Sequence, residues 1–336
     1  MNYEQIRKIT QGAEEIIDKN GAFSFYRFNE RERYFYSQTE FHQKTNSTAG
    51  VQMEFRTDGT KIKIKINTKP ATSRTYYSMD VFSNGVYVDS LKNFDNMDPH
   101  EDYTIKRFVL GENSKTINLH AGDKNIRIVF PWSVEAQLLE LEIENASYVE
   151  PINKKYKLLA YGDSITNGYD ALYSFNAYIT KLANTLDMSL INKAIGGEVF
   201  VPQLVQIASN DKPHYIIVAY GSNDWSLKEK ADFIERCNKF FDALSSNYPN
   251  TQIFALTPIW RADFMGERKF GPFNDVEKHI IEICSKYKNF KVVSGYDFVP
   301  HEKKYFADFR LHPNDSGFSF YYENIKAQIE KYITEE

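Results

Sequence analysis

The second half of this 336-residue chain alternates short apolar runs with helical patterns, and this feature limits its fold more than any other. The runs lack polar alternation, which is typical of strands buried on both faces of a parallel sheet. Between them, apolar residues recur at helical spacing, as Ile234, Cys237, Phe241 and Leu244 do. We therefore predict a parallel sheet with helices on both sides. Its predicted strands are KLLAY (157–161), SLIN (189–192), YIIVAY (215–220), IFALT (253–257) and KVV (291–293).

The first half has a different residue pattern, in which alternating or β-branched segments are separated by residues typical of turns. The Asn-Gly pair at 84–85 lies between two alternating runs and is a strong hairpin signal. Several short strands with no convincing helix among them predict an antiparallel β-sandwich. A helix is predicted before the sandwich, because apolar residues from 6 to 16 follow helical spacing and Gly21 stands where a C-terminal cap belongs.

A polar linker that contains a proline, residues 147–157, separates the two sequence patterns. We predict an N-terminal β-sandwich domain at 1–150 and a C-terminal α/β domain at 151–336. A chain of 336 residues is long enough for two domains of roughly 100–200 residues each.

Composition excludes several classes of protein. The net charge of −4 and the absence of a dense basic cluster argue against a nucleic-acid partner. No apolar run is long enough to span a membrane, and the scattered acidic residues at 1–18 lead us to expect no signal peptide. Cys237 and Cys284 fall at apolar helical positions, so we predict buried free thiols and a cytoplasmic location. The seven histidines lack metal-ligand spacing, and we predict no metal and no cofactor.

Residues with useful chemistry follow successive predicted strands. Ser164 follows the first strand, 196–197 is a Gly-Gly pair after the second, and Asn223 comes after the third. His312 precedes the last helix. Because the carboxyl ends of parallel strands meet at one edge of a sheet, these residues should lie together.

Together these residues would form a nucleophilic site. A serine hydroxyl becomes reactive when an imidazole removes its proton, and the oxyanion that forms needs preorganised donors. The N–H of Ser164 at a helix N-terminus, the backbone at Gly197 and the amide of Asn223 offer such donors. Each residue also has a simpler interpretation: Ser164 as a helix cap, the glycines as a turn and His312 as a helix lead-in. Their joint placement favours the nucleophilic site.

The sequence resembles the SGNH, or GDSL, hydrolases, a group of esterases and acyl hydrolases. This resemblance implies Ser164 as the nucleophile and His312 as the general base. It also implies an oxyanion hole made by the N–H of Ser164, the N–H of Gly197 and the side chain of Asn223. The implied fold is a flavodoxin-like three-layer α/β/α domain, here preceded by a jelly-roll-like β-sandwich. Four blocks carry the resemblance, in the family's order: YGDSITNG (161–168), INKAIGGE (191–198), YGSND (220–224) and LHPND (311–315).

One residue departs from the family pattern. The triad aspartate usually stands three residues before the histidine, where this chain has Phe309. Asp308 stands four residues before His312. A one-residue bulge in the loop would let Asp308 reach the other imidazole nitrogen. Without it, the enzyme would use a Ser–His dyad, with a backbone carbonyl orienting the ring.

The order of domains and the motif TPIWR (257–261) resemble the family 2 carbohydrate esterases and related deacetylases. This resemblance implies removal of small acyl groups, acetyl above all, from sugar hydroxyls of an oligosaccharide or a smaller ester. Trp225 and Trp260 are candidates for stacking on the sugar, and Arg261 for contacting a hydroxyl or carboxylate. Alternatively, the tryptophans only wall the domain interface.

Two other functions stay open. One is a lipase or thioesterase for longer acyl chains, which would need an apolar channel. The other is a catalytically inactive sugar-binding protein. The oligomeric state cannot be predicted from the sequence.

Overall fold

The computed structural model describes residues 1–98, 101–207 and 212–333. Its N-terminal part contains two helices, α1 (Tyr3–Ile9) and α2 (Glu30–Ser37). It also contains two short 3₁₀-helices, at His42–Asn46 and Tyr103–Ile105, and its remaining regular structure is extended. The strands are β1 (Thr10–Gln11), β2 (Glu15–Lys19), β3 (Ala22–Tyr26), β4 (Gln52–Thr57), β5 (Lys61–Pro70), β6 (Ser78–Ser83), β7 (Val86–Lys92), β8 (Glu112–Asn118), β9 (Lys124–Val129), β10 (Val134–Glu144) and β11 (Val149–Pro151).

These strands form two antiparallel sheets. One has the order β1–β4–β9–β6–β7, with β11 paired to β4, and the other has the order β2–β3–β10–β5–β8. Alternate residues of β5, such as Ile62 and Ile64, pack with Met53 and Phe55 of β4 in the core between the sheets. The predicted sandwich is confirmed. The predicted hairpin is also present, since β6 and β7 pair across the 84–85 turn, where both residues have positive φ.

The helix predicted up to residue 16 is wrong beyond Ile9. Thr10–Gln11 pairs with β4, and Glu15–Lys19 pairs with β3. Between them Gly12 has φ +79°, and a Cβ there would lie 2.3 Å from the carbonyl oxygen of Gly50. Strand pairing therefore overrides the local periodicity. The helix α2 also lies where the sequence showed no convincing helix.

The C-terminal part contains a fully parallel sheet of order β13–β12–β14–β15–β16. This is the flavodoxin-like order, and its switch point lies between β12 and β14, where such sheets bind ligands at the carboxyl ends of the strands. The predicted fold class is confirmed. The strands are β12 (Tyr156–Gly162), β13 (Met188–Asn192), β14 (Tyr215–Ala219), β15 (Gln252–Leu256) and β16 (Phe290–Val293).

Helices cover both faces of this sheet. Cores form on each side, one around α4 and α9 and the other around α5, α7 and α8. Both cysteines are free and buried. In the part of the chain that is described, no helix is long and apolar enough to cross a bilayer. The helices are α3 (Ser164–Asn167), α4 (Tyr178–Thr185), α5 (Pro202–Gln206), α6 (Ser222–Leu227), α7 (Lys230–Asn247), α8 (Asp275–Cys284) and α9 (Asp315–Ile329).

Strand pairing changes from the sandwich to the parallel sheet between Pro151 and Tyr156. Residue 336, the predicted end of the second domain, lies outside the described residues. All five parallel strands therefore lie in the C-terminal part, and so do their carboxyl ends.

Candidate active site

Ser164 is the first residue of α3, directly after the turn that ends β12. Asp163 caps this helix, because its side chain accepts the N–H of Ile165 at 3.0 Å. The interpretation of Ser164 as the helix cap is therefore wrong. The turn is tight, since a Cβ on Gly162 would lie 2.6 Å from Oγ1 of Thr166. The hydroxyl of Ser164 is left free for another partner.

That partner is His312. Its Nε2 lies 2.8 Å from Oγ of Ser164, although the two residues are 148 positions apart. Its Nδ1 lies 2.9 Å from Oδ2 of Asp308. The structure thus brings the predicted nucleophile, base and acid into one hydrogen-bonded relay, with only 12% and 13% of the His312 and Asp308 side chains exposed.

A left-handed residue lets Asp308 reach the imidazole from four positions upstream. Phe309 has φ +54°, and this conformation takes up the extra residue between the acid and the base. Oδ1 of Asp308 accepts the N–H groups of residues 310–312, at 3.0, 2.7 and 3.1 Å. These bonds hold the carboxylate so that Oδ2 faces His312. This is the one-residue bulge that the sequence spacing required.

The surroundings of His312 favour its protonated form. Burial by itself lowers the pKa of the imidazole, but hydrogen bonds and charges from Asp170 and Asp308 outweigh it and raise the pKa from 6.5 to about 9. Burial raises the pKa of Asp308, yet its bonds to His312 and to the backbone bring it well below the usual value. The neutral form of this imidazole is therefore a strong base toward the hydroxyl of Ser164, whereas the protonated form cannot accept its proton.

The predicted oxyanion donors follow β13 and β14. Gly197 is exposed and has φ +89°, and the nearest atom to a Cβ built there would be Nζ of Lys44, at 3.4 Å. Asn223 lies in the first turn of α6, and its Nδ2 donates to the carbonyl oxygen of Glu198 at 3.0 Å. This bond joins the predicted amide donor to the residue next to Gly197.

Residues 160–319 match the GDSL-like lipase/acylhydrolase family. The matched residues lie entirely within the C-terminal part of this chain. No curated protein sequence matches the chain.

Three solved structures show that the similarity in fold extends through the sandwich. A salicylyl-acyltransferase from a tetracycline biosynthetic pathway is 17% identical, with a TM-score of 0.80 over 97% of this chain and 95% of that one. A family two carbohydrate esterase from Clostridium thermocellum, in complex with cellohexaose, is 15% identical, with a TM-score of 0.60 over 85% and 94%. An acetyl xylan esterase from Butyrivibrio proteoclasticus is 13% identical, with a TM-score of 0.62 over 97% and 96%. The C-terminal part of this chain and its sandwich therefore share the two-domain fold of these structures.

The side chain of Glu198 anchors residues 192–198 from inside; this segment carries the predicted oxyanion donor Gly197 and is called the oxyanion segment below. It is fully buried and accepts the hydroxyls of Tyr36 and Tyr220, each at 2.6 Å. Burial raises the pKa of this carboxyl to about 8. Tyr36 belongs to α2, so the N-terminal part of the chain holds the residue beside Gly197.

Two cations from the N-terminal part hold the backbone of the same segment. Arg27 is fully buried and donates to the carbonyl oxygens of Asn192 and, at 3.1 Å, Ala194. Nζ of Lys44 donates to the carbonyl oxygen of Gly196 at 2.6 Å. Residues 192–198 are thus fixed by contacts from across the domain boundary.

The predicted substrate contacts lie mostly in the interior. Trp225 is completely buried, and its Nε1 donates to the carbonyl oxygen of Gly271 at 2.8 Å. Arg261 is 1% exposed, donates to the carbonyl oxygen of Ser222 at 3.0 Å, and stacks on the Trp225 ring at 4.9 Å. Neither side chain has an accessible surface for substrate. Trp260 is 8% exposed and stacks on His301 at 5.3 Å.

Sequence reasoning missed Asp170, which is the third member of a cluster with Asp308 and His312. These three form a group among the described residues whose donor atoms lie within 4.8 Å of one another, close enough to hold a cation. However, Arg74 already donates to both carboxylate oxygens of Asp170 at 2.7 and 2.9 Å, so the cationic partner of this carboxylate is a guanidinium. One feature of the sequence could have indicated Asp170, because it follows the 161–168 block with only Tyr169 between them. No sequence pattern indicated that Arg74 belongs to the site.

Proposed function

We propose that this protein is a serine esterase that forms an acyl-enzyme on Ser164. The observation that carries the proposal is the relay from Ser164 Oγ to His312 Nε2, at 2.8 Å, and from His312 Nδ1 to Asp308, at 2.9 Å. His312 is the general base, and Asp308 orients it. The backbone N–H groups of Ser164 and Gly197 and the amide of Asn223 stabilise the oxyanion.

The reaction has two halves. Oγ of Ser164 attacks the ester carbonyl while Nε2 of His312 takes its proton, and a tetrahedral oxyanion forms. The bond to the alcohol then breaks, and His312 returns the proton to the leaving alkoxide. In the second half His312 deprotonates a water molecule, which attacks the acyl-enzyme and releases the acid. Ser164 recovers its proton from His312.

The substrate class we propose is a carbohydrate that carries small acyl esters, acetyl above all. Support comes from the shared layout with a family two carbohydrate esterase that was solved with cellohexaose, and with an acetyl xylan esterase. Aromatic rings also restrict the space near the oxyanion segment, since Tyr169 lies against Gly196 and Phe41 lies beside Gly197. Trp260 stays a candidate wall of the sugar site.

A chain-length series of p-nitrophenyl esters tests the acyl preference. We expect the highest kcat/KM for acetate, and release of acetate from acetylated xylo-oligosaccharides. A maximum at eight or more carbons would favour the lipase or thioesterase alternative. Saccharide binding without turnover of any ester would favour the inactive sugar-binding protein. Ser164→Ala, with its fold checked by circular dichroism, should abolish turnover.

A further inference from the structure

The imidazole of His312 faces a second carboxylate. Oδ2 of Asp170 lies 3.2 Å from Nδ1, the same nitrogen that Asp308 contacts at 2.9 Å. The Asp170 side chain is completely buried, and its backbone has φ +70° in the turn after α3. One N–H of His312 therefore has two carboxylate acceptors, only one of which the relay described above needs.

The N-terminal sandwich holds this second carboxylate. Arg74 donates from Nε to Oδ1 at 2.7 Å and from Nη2 to Oδ2 at 2.9 Å, a bidentate pair. The Tyr76 hydroxyl donates to Oδ1 at 2.6 Å, and the Tyr103 hydroxyl donates to the backbone carbonyl of Asp170 at 2.7 Å. These residues lie in the segment before β6 and in the β7–β8 connection, so they belong to the sandwich.

An isolated buried carboxylate would be costly, and Arg74 reduces this cost. Burial raises the pKa of Asp170, but hydrogen bonds and charges from His312 and Arg74 outweigh it and lower the pKa below the usual value. Asp170 is therefore a fixed negative charge against His312. The ring of Tyr169, tilted 31° from the imidazole at 5.6 Å, also packs against His312.

We propose that Asp170 is a second positioning residue for His312, and that Arg74 and Tyr76 of the sandwich fix its place and balance its charge. The inference rests on the proposed function of Ser164 and His312. It gives the sandwich a part in catalysis, because the guanidinium of Arg74 acts on the base through Asp170. The sandwich is then more than a neighbour that packs beside the site.

The proposal predicts opposite electrostatic effects for two substitutions. In the described structure the charged or titratable groups that act on His312 include Asp308, Asp170, Tyr169 and Asp163, the N-cap of α3, with Arg74 bonded to Asp170. Asp170→Asn removes a negative charge and should lower the pKa of His312. Arg74→Gln leaves the charge of Asp170 unbalanced and should raise it.

Nuclear magnetic resonance titration of histidine-labelled full-length protein tests this without any substrate. The His312 signal is assigned by its loss in His312→Gln. We expect Asp170→Asn to lower the pKa of His312 by about 1 unit or more, and Arg74→Gln to raise it. Asp80→Asn is the matched control, because Asp80 is equally buried but bonds to Ser90 in the sandwich. It should leave the pKa of His312 unchanged.

Kinetics supply the second readout. For Asp170→Asn we expect the acidic limb of kcat/KM to move to lower pH, with kcat on the plateau reduced about tenfold and KM within about twofold. If the pKa of His312 in both Asp170→Asn and Arg74→Gln equals that of wild type, the proposal is overturned. Asp170 then only links the sandwich to the C-terminal part. If Asp170→Asn does not fold, the sign of the Arg74→Gln shift decides. Should the wild type hydrolyse no ester, the proposed function fails, and the titration still decides this inference.

Discussion

At the scale of single residues, His312 depends on the groups at both of its nitrogens. The Ser164 hydroxyl lies at Nε2, and the carboxylates of Asp308 and Asp170 lie at Nδ1. In the proposed mechanism the carboxylates stabilise the imidazolium that forms when His312 takes the proton of Ser164. They also make the resting imidazolium harder to deprotonate, so we expect the same interaction to set the pH range of the proposed activity.

The pH dependence of kcat/KM follows from this. The pKa of His312 is raised to about 9, so the imidazole becomes protonated as the pH falls below that value and can no longer accept the proton of Ser164. We expect kcat/KM for p-nitrophenyl acetate to fall about tenfold per pH unit below the limb and to level off above it. Stopped assays in overlapping buffers measure the limb. A midpoint at or below 6.5 would contradict the electrostatic picture.

The sequence predicted some of these residues and missed others for a physical reason. Ser164, Gly197 and Asn223 could be predicted because each follows a parallel strand, and such strand ends share one edge. Arg74 and Asp170 pair across 96 positions, and no local pattern reports such a contact. The burial of Trp225 and Arg261 could not be predicted either, because both lie among polar residues in the sequence. In the structure they pack against each other in the interior.

At the scale of elements, the loop between Phe306 and His312 determines whether the relay forms. Its left-handed residue is Phe309, and side chains with a Cβ pay about 1–2 kcal/mol in that conformation. The energy is offset by the three N–H groups that Asp308 accepts. From the spacing in the sequence, Asp308 could reach the imidazole only through a bulge, and the choice between that bulge and a Ser–His dyad stayed open.

Substitutions at Phe309 test this loop. Phe309→Gly adopts positive φ freely and should keep the plateau kcat within about twofold. Phe309→Val is strained there, because a branched Cβ is poorly tolerated at positive φ. It should displace Asp308 and lower kcat about tenfold or more. Steady-state kinetics with melting temperatures compare the two. Equal activity in Phe309→Val and wild type would show that the left-handed conformation is not required.

The first elements of the chain show where local pattern fails. Residues 6 to 16 carry helical periodicity, yet α1 ends at Ile9 and the chain enters two sheets. Their partner strands, β3 and β4, come later in the sequence, and a short helix gains less than strands buried in a core. The short, unalternated strands of the parallel sheet were predictable because burial on both faces leaves a continuous apolar run.

At the scale of the whole molecule, the sandwich contacts both halves of the proposed catalytic site. Arg74 and Tyr76 hold the acid side of His312 through Asp170. Tyr36 and Lys44 hold the oxyanion side through Glu198 and the carbonyl oxygen of Gly196. We infer that the two parts of the chain depend on each other for activity as well as for stability.

Tyr36→Phe tests whether the C-terminal site depends on the sandwich, because it removes only the hydroxyl oxygen of Tyr36. It removes a 2.6 Å hydrogen bond to buried Glu198 and should lower the free energy of unfolding by about 1–3 kcal/mol. Because Asn223 donates to the backbone of Glu198, we also expect a severalfold lower kcat with little change in KM. The control is Tyr34→Phe on the same helix, since that side chain is 73% exposed. Denaturant unfolding and kinetics check both. A Tyr36→Phe variant indistinguishable from Tyr34→Phe would refute the coupling.

In the proposed function, Ser164 is a nucleophile that His312 activates. Labelling with a p-nitrophenyl phosphonate, followed by intact-protein and peptide mass spectrometry, tests it most directly. We predict one phosphonyl group per chain, located on Ser164, no labelling of Ser164→Ala, and labelling of His312→Ala slowed by at least about 100-fold. Labelling at another residue, or unchanged labelling of His312→Ala, would contradict the account.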